Sequence, residues 1–88
     1  MTARYYFVFD SRNQAIYMET MLKAKGYRVE LKPTPGRLGK GCSSSLAVYG
    51  QPIEIKNMRN LILSYRMSVK GIYKAIQTGQ FTDYDKVY

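Results

Sequence analysis

The chain has no histidine, no tryptophan and a single cysteine, Cys42. With one cysteine, no intramolecular disulfide can form. With no histidine, a Cys/His zinc site cannot be built within one chain. The same absence removes every Ser–His or Cys–His pair and every histidine general base. Acidic side chains are scarce too: 6 against 14 lysines and arginines, leaving a formal net charge of +8. Asp10, Glu19, Glu30 and Glu54 are scattered and offer no carboxylate pair for acid/base work. No apolar run approaches the ~18–20 residues that cross a bilayer. Arg4 interrupts the N-terminus, and Tyr5–Phe9 is too short for the apolar region of a signal peptide. The expectation is a cytoplasmic protein that is not an enzyme, with no membrane, cofactor or metal.

At 88 residues, 45% of them apolar, the chain suits one domain. Tyr5–Phe9 is an unbroken aromatic and β-branched run, which predicts a strand buried on both faces and central in its sheet. Ser11 and Gln14 have capping-box spacing, and Asp10 also suits a cap. A helix over 12–25 follows, with Ala15, Met18 and Leu22 on one face and Gly26 as its left-handed terminator. Tyr27, Val29 and Leu31 alternate with polar residues as a half-buried strand that Pro33 stops. A third strand covers 46–49. A second helix runs over 52–67, with Pro52 first and Ile55, Met58 and Ile62 inward. A fourth strand covers 69–76, where Gly71 marks a bulge or a close backbone approach.

This order predicts an α+β fold, a ferredoxin-like βαββαβ sandwich. It has a four-stranded antiparallel sheet, strands one and four adjacent, and two helices on one face. The other face is expected to be open. Residues 1–76 form the domain, and 77–88, which lack a period, form a loosely ordered tail.

The chemistry points to the loop between strands two and three. Gly36, Gly39 and Gly41 fall within six residues, giving positive-φ positions and backbone N–H groups free to converge on an anion. Cys42 is the one soft nucleophile. Arg37 and Lys40 lie within five residues, and nearby cations favour the thiolate. Thr34, Gly41, Ser43 and Ser44 are the supporting donors. The loop departs from the phosphate-binding pattern G-x-x-x-x-G-K-[ST], because Cys42-Ser43 follows Gly41. A free cysteine is also often a small buried hydrophobe. Strand aromatics more often make core or interface than stack bases, and the RNA-binding strand motif is absent, so nucleic acid is not the expected partner. The alternatives are a regulatory or scaffolding module binding a partner, or a second copy, through its open sheet face, and a domain that binds nucleic acid by charge.

The run Phe9-Asp10-Ser11, then Ala15, Glu19, Leu22-Lys23, Gly26 and Leu31, Pro33-Thr34-Pro35, Arg37, a serine-rich surround and Cys42, and Ala47 resembles the selenium/sulfur carrier protein-like family of small bacterial domains. Its most specific part is Leu-Lys-Pro-Thr-Pro followed by Arg and one Cys. The resemblance implies sulfur or selenium carried on Cys42, with a donor or acceptor protein as partner, such as a cofactor-maturation enzyme. Two neighbours depart from the family pattern: Gly36 precedes Arg37, and Ser43 follows Cys42.

Overall fold

A computed structural model describes residues 3–38, 44–67 and 69–88. The elements are β1 (Ala3–Phe9), α1 (Arg12–Ala24), β2 (Val29–Pro33), β3 (Ser44–Gly50), α2 (Pro52–Ser64), β4 (Gly71–Thr78) and β5 (Phe81–Lys86). The strands form one sheet in the order β2-β3-β1-β4-β5, with every pairing antiparallel. The expected first six elements are present, β1 is central and β4 lies beside it.

Two expectations need correction. The sheet has five strands rather than four, and the segment read as a loose tail carries the fifth. β4 and β5 make a hairpin whose turn, Gly79-Gln80, lies between the paired Thr78 and Phe81. Gly79 has a φ of +60°, as the first residue of a II′ hairpin turn requires. β5 escapes a period-two reading because none of its side chains is fully buried, and its half-buried positions, Thr82 and Tyr84, alternate with an exposed Phe81, so no apolar alternation marks it. β2 also starts at Val29, two residues later than the alternation suggests, and includes Pro33 rather than stopping before it. It is an edge strand, where a missing N–H breaks no ladder on the solvent side.

The core lies between the helices and one face of the sheet. Ala15, Met18 and Leu22 of α1 and Ile55, Met58 and Ile62 of α2 pack with Phe7, Phe9, Leu46, Val48 and Ile72. Ser11 stands at the N-cap of α1 but makes no side-chain cap, so the expected capping box is not formed. At α2 the device exists: the Gln51 N–H donates to Glu54 Oε1 at 2.9 Å. At Gly71 the close neighbour is a side chain rather than backbone: a Cβ there would sit 2.9 Å from Cε1 of the Tyr73 ring.

The helices end alike. After α1, the Gly26 N–H reaches Lys23 O at 3.0 Å and the Tyr27 N–H reaches Leu22 O at 3.1 Å. After α2, the Arg66 N–H reaches Leu63 O at 3.0 Å and the Met67 N–H reaches Ile62 O at 3.3 Å. Gly26 adopts φ +91° without strain, but Arg66 adopts φ +60° with a Cβ that crowds its carbonyl. Arg66→Gly is therefore expected to stabilise the protein by about 1 kcal/mol, raising the calorimetric midpoint by about 4–8 °C. An unchanged midpoint would show that the arginine side chain compensates the strain.

Candidate functional site: the β2–β3 connection

One end of the sheet gathers the C-termini of β1 and β2 and the N-termini of β3 and β4. Ser44 pairs with Phe9 on one side and Pro33 on the other, and Gly71 pairs with Val8. The β2–β3 connection leaves and re-enters here. Its described part starts at Thr34 and turns at Pro35–Leu38, where the Leu38 N–H donates to Pro35 O at 2.9 Å.

Of the residues singled out by sequence, Thr34 follows Pro33, which pairs with Ser44, so Thr34 and Ser44 lie at the same end of the sheet. Thr34 Oγ1 is buried and has no hydrogen-bond partner among the described residues. Ser44 is buried, and so is Ser45, whose Oγ donates to Lys32 O at 3.2 Å. Lys40, Gly41, Cys42 and Ser43 lie outside the described residues.

Arg37 is not an unpaired cation. Its Nη1 donates to Asp83 Oδ1 at 2.7 Å and to Thr82 O at 3.4 Å, both on β5 at the opposite edge of the sheet. Arg37, five residues before Cys42 in sequence, thus has Asp83 as its ion-pair partner among the described residues. Sequence reasoning missed Asp83 because it lay in the supposed tail. It missed Lys70 as well. The Lys70 N–H donates to Val8 O at 2.7 Å, and its Nζ lies 3.6 Å from Asp10 Oδ1, at the same end of the sheet as Ser44. Asp10 thus pairs with Lys70 rather than serving only the helix start.

The contact between opposite edges changes the expected open face. Alternation along β1 sends Tyr5, Phe7 and Phe9 into the helix-covered core and Arg4, Tyr6 and Val8 to the other side. The helices fill the first face; Arg37 and Asp83 tie the β2–β3 connection to the far edge strand, and the second face carries Tyr84. There the Tyr84 ring packs edge-on against Tyr6, with centroids 5.7 Å apart, and Val8 is only 1% exposed. This face is therefore closed near its centre and is not the continuous open platform expected. It stays accessible near Tyr49, which is 53% exposed.

A family model described as "Putative Se/S carrier protein-like" matches residues 4–74. The matched span runs from β1 into β4, includes Cys42, and stops short of β5. No curated protein and no solved structure matches the chain. With most of its length under that match, and the residues of the β2–β3 connection inside it, the chain belongs to the Se/S carrier protein-like family.

Proposed function

We propose that this protein carries sulfur or selenium on Cys42, acting as a carrier or thiol relay rather than as an enzyme. The observation that carries the reading is the family match across residues 4–74, which spans the chain's one cysteine. The buried Thr34 hydroxyl, without a hydrogen-bond partner among the described residues, and the anchored Ser44 at the loop's two ends support it. We read β1 to β4 as a ferredoxin-like core to which β5 is added.

In the loading step the Cys42 thiolate attacks the terminal sulfur of a donor persulfide. The donor's S–S bond breaks as the new one forms, and the donor cysteine leaves as thiolate. No outside oxidant is needed, because the transferred sulfur keeps its oxidation state. The acceptor, which we take to be a cofactor-maturation enzyme, receives the sulfur by the reverse exchange. Such chemistry suits a reducing cytoplasm, where a lone thiol stays free. The charge of +8 favours donors and acceptors with acidic faces.

Incubation with a cysteine desulfurase and free cysteine, followed by intact mass, tests the proposal. The native chain is expected to gain the mass of one sulfur atom, reversible by dithiothreitol, and Cys42→Ser to gain none. A native chain that stays unmodified would end the reading.

A further inference from the structure

At the end of the sheet remote from Ser44, three strands bring a separate group of side chains together. Arg4 of β1 pairs in register with Tyr49 of β3, and Val29 of β2 pairs with Val48, which puts Arg28 level with Tyr49. Two arginines thus flank one tyrosine across neighbouring strands, about 10 Å from first strand to third. Around them lies a cavity of about 290 Å³ lined by Arg4, Lys23, Tyr27, Arg28, Glu30 and Tyr49 and floored by the small Ala47. Its size is near the lower end of small-ligand sites.

The charges here are unevenly matched. Lys23 is paired with Glu19 at 3.4 Å. Neither Arg4 nor Arg28 has an ion pair among the described residues. Arg4 is nonetheless held in place, with its Cζ 5.5 Å from the centroids of both Tyr6 and Tyr49. Its Nε is buried and makes no hydrogen bond among the described residues, and the two rings hold the guanidinium. A guanidinium fixed between aromatic rings has already lost the freedom that binding an anion would otherwise remove.

We infer that this cavity binds one nucleotide unit, its phosphate held between Arg4 and Arg28 and its base stacked on the exposed Tyr49. Arginine forks match phosphate oxygens in pairs. A half-exposed tyrosine offers a flat face to any base. A free mononucleotide and one residue of a single-stranded RNA present the same chemistry to it. Glu30 is the one carboxylate of the lining and opposes the phosphate. This inference does not depend on the carrier reading, since the cavity lies at the other end of the sheet from the β2–β3 connection.

Calorimetric and NMR titrations of the full chain with AMP, adenosine, inorganic phosphate and hexaadenylate test it. AMP is expected to saturate, with shifts centred on Arg4, Arg28 and Tyr49, and to bind at least about tenfold more tightly than adenosine or phosphate alone. Arg28→Gln, at an exposed position, is expected to weaken AMP by about tenfold or more, and Glu30→Gln to strengthen it. Hexaadenylate binding tighter than AMP, with a steep salt dependence, would assign the unit to an RNA strand; equal affinities would assign it to a free mononucleotide. Cys42→Ser should retain AMP affinity, and Arg28→Gln should retain sulfur loading, so either proposal can fail alone. Equal binding of AMP and its fragments, or AMP affinity unmoved by Arg28→Gln, overturns the inference.

Discussion

Truncation after Thr78 is expected to lower the unfolding free energy by about 2–4 kcal/mol, although it removes only a strand beyond the family match. The hairpin ladder of β5 is largely solvent-exposed, and isolated hairpins are marginal in water, so ladder bonds and chain entropy nearly offset each other. What remains are the bonds that Val87 and Tyr88 make to the Ile72 backbone, the Tyr88 ring 4.8 Å from the Arg59 guanidinium, and the cover that Tyr84 gives Tyr6. Exposing a buried side chain of that size costs about 1.5–3 kcal/mol, and the edge-on ring pair adds about 1. The Arg37–Asp83 pair adds little, since both side chains are more than half exposed. Urea titration of the chain ending at Thr78 checks this. An unchanged midpoint would mean that β5 merely lies on the sheet and leaves the β2–β3 connection unsupported.

Phe7→Ala should cost more, about 3–5 kcal/mol. Phe7 is fully buried in the central strand, paired with Leu46 on one side and Ile72 on the other. Its loss leaves a cavity lined by both neighbours and the helix face above. A domain of this size has a total stability of about 4–13 kcal/mol, so the variant is expected to be partly unfolded at 25 °C by circular dichroism. Ile53→Ala is the control, because Ile53 is mostly exposed on the first turn of α2 and should shift stability by less than about 0.5 kcal/mol. Comparable losses in the two variants would contradict the placement of the core.

Where burial was strong, the sequence was a good guide. Tyr5–Phe9 announced a strand covered on both faces, and the spacing of Ala15, Met18 and Leu22 and of Ile55, Met58 and Ile62 marked the faces that enter the core. Pattern reading failed where water touches both sides of a strand, as in β5, and where an edge tolerates proline, as in β2. The site was legible as a composition: threonine, basic residues, glycines and serines around one cysteine. Its geometry was not. Arg37 sits five residues before Cys42, yet its partner is Asp83, 46 residues further on, and only the sheet order shows it. The pair Arg4 and Arg28 was likewise invisible until strand register placed Tyr49 between them.

The central place of β1 also bears on how the chain is made. Its partners come late: Phe7 meets Leu46 about forty residues on and Ile72 about sixty-five residues on. Such distant pairings slow folding, because long loops must close before the sheet rewards them. During synthesis, Tyr-Tyr-Phe-Val-Phe emerges before either partner strand and stays without a sheet neighbour until β3 has left the ribosome. This aromatic run, uncharged and free of proline, is the segment most prone to pair with another nascent copy. The flanking Arg4 and Asp10 stand as charged gatekeepers on either side of it during that interval.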